Sequence, residues 1–128
     1  MNECAHDLVL LIDDDSDEHL LFKNALKQFN NKIGCITAFT CQQGFDIARG
    51  NKPNVIFLDM NLPGTNGLVC LRKFKKTSVF KDIPVYMYSG GSVTKNEVLI
   101  ALQEGARKWI KKPDKLEDYQ QVFSIVFN

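Results

Sequence analysis

Short apolar runs alternate along the chain with stretches whose apolar residues recur every three or four positions. Leu8-Val9-Leu10-Leu11-Ile12 is unbroken, the pattern of a strand buried on both faces. Asp15-Ser16-Asp17-Glu18 follows as an acidic, cap-like start. Phe22, Ala25, Leu26 and Phe29 then recur at i, i+3, i+4 and i+7, which predicts one apolar helix face stopped at Asn30-Asn31-Lys32. Residues 33–39 predict a second strand, and residues 41–49 a short second helix closed by Gly50. Val55-Ile56-Phe57-Leu58 predicts a third buried strand that runs into Asp59 and a loop over residues 61–67. Leu68, Leu71 and Phe74 mark a third helix, residues 84–88 a fourth strand, and Ser89-Gly90-Gly91-Ser92 a flexible link. Thr94-Lys95-Asn96-Glu97 has capping-box spacing, with Val98, Ala101 and Leu102 as the buried stripe and Gly105 as the stop. Residues 108–111 predict a fifth strand. Asp114-Lys115-Leu116-Glu117 is a second capping-box-like start, and Leu116, Tyr119, Phe123 and Val126 give the last helix its buried side.

Strict alternation of buried strands and amphipathic helices implies an α/β fold, a parallel sheet covered on both faces. Five strand–helix units are too few for an eight-fold barrel, so an open, doubly wound five-stranded parallel sheet with five helices is expected. At 128 residues one domain over 1–128 is expected, with its core over about 7–127.

Composition narrows the function. The 16 Lys and Arg nearly balance the 15 Asp and Glu, for a net charge of +1, which argues against a coat for nucleic acid or an anionic membrane. The basic residues Arg72, Lys73, Lys75 and Lys76 read as a solvated helix face. Cys4, Cys35, Cys41 and Cys70 show neither a CxxC pair nor zinc-finger spacing and read as ordinary thiols of a reducing compartment. His6 and His19 have no partner spacing, so surface or structural roles are expected. The polar start is not a signal peptide, and no apolar run is long enough to span a bilayer, so a cytoplasmic protein without membrane or nucleic-acid partners is expected. Neither GxxxxGK[ST] nor GxGxxG occurs.

Open parallel sheets bind ligands beyond the carboxyl ends of their strands. Asp13, Asp14 and Asp15 follow the first strand, Asp59 the third, Ser89 the fourth, and Lys112-Pro113 the fifth. Two carboxylates about 4 Å apart repel by about 4 kcal/mol at an effective dielectric near 20, so such a cluster implies a compensating cation. Hard oxygen donors favour Mg²⁺ or Ca²⁺, and Mg²⁺ with open positions suits a site that also takes a phosphate oxygen. Carboxylates, a metal, an ammonium and a hydroxyl together describe phosphoryl transfer, with Asp59 as nucleophile.

These residues carry a family resemblance. Asp13-Asp14, Asp59-Met60-Asn61-Leu62-Pro63 with Asn66-Gly67, Ser89-Gly90 and Lys112-Pro113, in order at strand ends, resemble the receiver domain of two-component response regulators. The resemblance implies a flavodoxin-like sheet with strand order 2-1-3-4-5 and makes Asp59 the phosphoacceptor. It implies Mg²⁺ held by Asp14, Asp59 and the main-chain carbonyl of Asn61, with Asp13 acting through water. Ser89 would hydrogen-bond the phosphoryl group, Lys112 would pair with it, Trp109 would be the switch aromatic, and Pro113 would follow a cis bond. It further implies phosphoryl donation by a sensor histidine kinase or histidine phosphotransfer protein. Output would go to an unknown protein at the face of helix 4, strand 5 and helix 5, with a homodimer left open, and no external substrate would be turned over. Two alternatives remain at this point. One is a haloacid-dehalogenase-type phosphatase, whose D-x-D motif Asp13-Asp14-Asp15 formally fits. The other is a receiver-like binding module that works without phosphorylation.

Overall fold

The computed structural model describes residues 7–91 and 93–127. Cys4 and His6, and the polar start that was read as no signal peptide, lie outside the described residues. The chain runs β1 (Leu8–Ile12), α1 (Ser16–Phe29), β2 (Gly34–Ala38), α2 (Cys41–Asn51), β3 (Val55–Asp59), β4 (Asn61–Leu62), β5 (Thr65–Asn66), α3 (Gly67–Lys76), β6 (Val85–Ser89), α4 (Lys95–Gln103), β7 (Lys108–Lys111) and α5 (Leu116–Phe127). Five strands form one sheet in the order β2-β1-β3-β6-β7, every pair parallel. This is the expected doubly wound order once the two-residue strands β4 and β5 are set aside. Those two form an antiparallel hairpin inside the segment read as a loop.

Period-two alternation sorts the strand residues between two cores. Leu10, Ile12, Ile56, Leu58 and Met87 face Phe45, Ala48, Leu71, Phe74 and Ala101 of α2, α3 and α4. Val9, Leu11, Phe57, Tyr86 and Tyr88 face Phe22, Leu26, Tyr119 and Phe123 of α1 and α5. Along the α1–α5 seam the rings of Phe22 and Phe123 meet edge to face at 5.1 Å, and Phe29 lies 5.7 Å from Phe123.

Asp15 caps α1 by accepting from Asp17 N–H at 2.9 Å, and the capping box at Thr94 and Glu97 forms as its spacing predicts. Helix α2 passes through Gly50 and ends at Lys52, which takes the left-handed conformation at φ 49°. One helical glycine costs only about 1 kcal/mol relative to alanine, too little to stop the helix. Leu102 and Leu116 are exposed instead of buried, and Val122 takes a buried place on α5. A helical period marks a face but not how far along it the neighbouring elements reach.

Two further expectations are corrected. No peptide bond among the described residues is cis, so the bond before Pro113 is trans. A bond of this type favours trans by about 0.5–1 kcal/mol intrinsically, and Lys112 reaches its carboxylate partners with that isomer. Cys41 and Cys70, read as ordinary thiols, are joined in a disulfide with their Cα atoms 5.8 Å apart. The pairing spans 29 positions and follows from α2 packing on α3, so local cysteine spacing carries no trace of it. Cys35 remains a free thiol, and burial pushes it up to about 12.

Candidate functional site

The parallel sheet brings the ends of β1, β3, β6 and β7 to one edge, where the polar residues that follow them meet. Asp13 N–H donates to Ala38 O at 3.0 Å, which extends the β1–β2 ladder by one residue and buries the Asp13 side chain. Its Oδ1 accepts from Asp15 N–H at 3.0 Å, an Asx turn that leads the chain into α1. His19 Nε2–H donates to Asp13 O at 2.7 Å and fixes the same turn from the helix side, its ring packed on Phe39. Asp14 points to solvent.

Asp59 closes β3 and is 4% exposed. Its Oδ1 accepts from Asn61 N–H at 3.2 Å, and its Oδ2 accepts from Lys112 Nζ at 3.2 Å. The same Nζ lies 2.7 Å from Asp13 Oδ2, an ion pair without hydrogen-bond alignment, so this buried oxygen has a charge partner but no directed donor. Lys112 therefore bridges the carboxylates of Asp13 and Asp59. Its own main chain is fixed by donation to Ser89 O at 2.9 Å.

Burial raises the Asp59 carboxyl above the ordinary value of 3.8, and the Asp13 charge adds to the rise. The Asn61 N–H and the Lys112 ammonium oppose it. For Lys112 burial is the largest single effect and acts downward, but Asp13 and Asp59 together outweigh it and hold the ammonium above 10.5.

Asp13, Asp14 and Asp59 each present an oxygen within 4.8 Å of the others. At that separation and an effective dielectric near 20, each pair repels by about 3–4 kcal/mol. One ammonium cannot neutralise three carboxylates. An all-oxygen, acidic donor set with a buried, undirected oxygen at Asp13 fits a hard divalent cation, with exposed Asp14 on the solvent side. Asn61, two residues beyond Asp59 at the start of β4, stands at the rim.

Ser89 ends β6, one residue beyond Tyr88, the register partner of Asp59, and opposite Lys111. It is buried, and its Oγ accepts from Gly91 N–H at 3.3 Å. Trp109 is half-buried on β7 beside Met87, on the sheet face that Met87 shares with Ser89. Pro113, next to Lys112, lines a cleft between the end of β7 and α5.

A second polar group went unread in the sequence. Glu18 is 7% exposed and accepts from Tyr88 Oη at 2.8 Å and Tyr119 Oη at 2.9 Å, joining α1, β6 and α5. Burial raises its carboxyl above 4.5 despite those two donors, and both tyrosine hydroxyls are pushed up by burial and by the Glu18 charge. Glu18 lies four positions before Phe22 on the buried stripe of α1, and that position was the available signal. Its acidic neighbours made it read as part of a solvated helix start.

Three comparisons bear on this geometry. Residues 9–124 match the family model described as "Response regulator receiver domain". The chain is 33% identical over 114 residues to the nitrate/nitrite response regulator protein NarL of Escherichia coli K12, covering 86% of this chain and 50% of that protein. It is 32% identical over 111 residues to the chemotaxis protein CheY1 of Helicobacter pylori, covering 82% and 84%. The Mn²⁺-bound form of response regulator Rcp1 has the same fold, with a TM-score of 0.82 at 22% identity over 95% of each chain. The chain spans about half the length of the first curated relatives it matches.

Proposed function

The chain belongs to the response regulator receiver family, and on that premise we propose that it is a switch set by a phosphoryl group on Asp59. The observation that carries this reading is the Asp59 carboxylate itself. It is buried at a strand end, with one oxygen held by Asn61 N–H and the other by the Lys112 ammonium that also reaches Asp13. Those donors favour the ionised, nucleophilic form against the burial that opposes it.

In the transfer, an Asp59 oxygen forms the new bond to phosphorus. The N–P bond of a phosphohistidine on a sensor kinase or phosphotransfer protein breaks, and its electron pair returns to the imidazole. Lys112 Nζ follows the developing negative charge from the carboxylate to the phosphoryl oxygens, and the Ser89 hydroxyl supplies a neutral donor to them. Asp14, Asp59 and the Asn61 carbonyl would hold Mg²⁺, with Asp13 acting through water. When bound, this ion neutralises charge on the phosphoryl oxygens. The all-oxygen donor set supports a divalent metal of this class. Ser89 and Trp109, on one face of adjacent strands, would carry the change to the surface of α4, β7 and α5 and so to a protein partner.

On this reading residues 9–124 act as one signalling unit in the cytoplasm and turn over no external substrate. No described helix is long and apolar enough to cross a membrane. A haloacid-dehalogenase-type reading leaves Asp59 without work at the centre of its own cluster, and the family match is to receivers.

Incubation with acetyl phosphate and Mg²⁺, followed by intact mass, tests the proposal. One phosphoryl group should add per chain, and Asp59→Asn should abolish labelling while keeping the fold. Labelling of that variant at wild-type extent would place the nucleophile elsewhere, and release of many phosphates per chain from a generic phosphomonoester would make the protein an enzyme.

A further inference from the structure

The Cys41–Cys70 bond stands at the end of the sheet where the site lies, and the receiver reading leaves it without a role. Cys41 is the first residue of α2, and Cys70 is buried in the first turn of α3. The start of α3 is bonded to the segment that follows Asp59. Gly67 N–H donates to Met60 O at 2.7 Å, and a Cβ at Gly67 would come within 2.6 Å of Asp59 O. Asn66, which caps α3 through Val69 N–H at 3.0 Å, pairs in the β4–β5 hairpin with Asn61. A tie on Cys70 therefore acts one helical turn from the backbone that carries Asp59 and Asn61.

The bond is also reachable. Cys41 is half-buried and lines a cleft of about 280 Å³ with Thr40, Gln42, Pro63, Gly64 and Lys73. Lys73 is the one charged residue among the described residues that line the cleft, and its Nζ donates to Gln42 Oε1 at 3.0 Å. A small anionic thiol suits a cleft of that size and sign. The fold does not depend on the bond alone, because the ring of Phe45 on α2 packs against Phe74 at a tilt and edge to face on Phe80, at 5.2 and 5.1 Å. Cys35 offers no competing chemistry, since burial keeps it protonated.

We propose that Cys41–Cys70 is a reversible thiol–disulfide site, opened by a low-molecular-weight anionic thiol through the cleft over Cys41, and that the closed bond holds the segment after Asp59 in its metal-binding arrangement. The thiolate attacks Cys41 Sγ, and Cys70 leaves as a thiolate that takes a proton. A second thiolate attacks the small-molecule sulfur of the mixed disulfide and releases Cys41. Two electrons pass from the two small thiols, which become their own disulfide, and the reverse sequence reforms the bond. The metal half of the inference rests on the site proposed above.

Linkage makes the coupling measurable from both ends. The protein is equilibrated in glutathione and glutathione disulfide with and without saturating Mg²⁺, quenched in acid, alkylated, and its free thiols counted by intact mass. Mg²⁺ should make the bond harder to reduce by about fivefold, the low end of measured site-to-site couplings, and the reduced protein should bind Mg²⁺ weaker by the same factor. The double variant Cys41→Ser with Cys70→Ser should bind Mg²⁺ at the reduced affinity and ignore glutathione. Equal Mg²⁺ affinity in both redox forms overturns the inference and leaves the phosphorylation reading standing. Full alkylation without reductant overturns it as well. Absence of Mg²⁺ binding in either form overturns both.

Discussion

Glu18 is held where a carboxylate is hard to keep charged, and its two tyrosine donors do not fully offset the burial. The native state therefore keeps a proton at pH values where the unfolded chain has lost it. With a raised native pKa, stability is greatest below the ordinary value of 4.5 and falls as pH rises from there through the native value. Glu18→Gln keeps an oxygen for both tyrosine hydroxyls and removes the charge. Thermal melts of the two proteins between about pH 4 and 8 should show the variant gaining Tm over the wild type as pH rises. Asp59 is also raised, but both proteins share it, so it cancels in the difference. Melting curves that stay parallel across the range would mean Glu18 does not titrate there.

Helix α3 starts at a glycine because nothing larger fits. A Cβ on Gly67 would meet Asp59 O at 2.6 Å and Met60 Cα at 2.7 Å, both main-chain atoms that cannot swing aside. Gly67→Ala should cost about 1–3 kcal/mol by denaturant titration and weaken metal binding, because the displaced backbone is the one that carries Asp59. Gly50 is the control. It lies within α2 with nothing near its missing Cβ, so Gly50→Ala should gain about 0.5–1 kcal/mol and leave the site alone. A loss at Gly50 or none at Gly67 would contradict these packing arguments. The same two glycines show how far elements were legible beforehand. β1 emerged with its bounds intact because an apolar run that meets a charge is a local signal, and β7 because a short apolar pair is bracketed by lysines between Gly105 and Pro113. Gly50 was misread as a stop, since its cost competes with packing that only the folded chain supplies. Leu116 and Leu102 were misplaced because a period does not say where a neighbouring element ends.

Across the whole molecule, the convergence of Asp13, Asp14, Asp59 and Lys112 was legible because a parallel sheet sends every strand end to one edge. The Glu18–Tyr119 bond spans 101 positions and the disulfide 29, and no periodicity reports such meetings. The trans bond before Pro113 departs from what the Lys112-Pro113 motif implied. The α1–α5 seam has a consequence of another kind, for rates. It joins the first and last helices of the described residues, so the loop that must close before its contacts form spans about a hundred residues, as the Glu18–Tyr119 separation of 101 shows. Such contacts contribute little to a folding transition state and much to the barrier that keeps the native state shut. Phe123→Leu, at a cost of roughly 1 kcal/mol, should speed unfolding about fivefold in a chevron and leave the folding limb nearly unchanged. A slowed folding limb would instead put the seam in the nucleus. The half-life of each folded copy is then governed by a buried aromatic joint on the α1–α5 face of the sheet, away from the charged edge that carries Asp59.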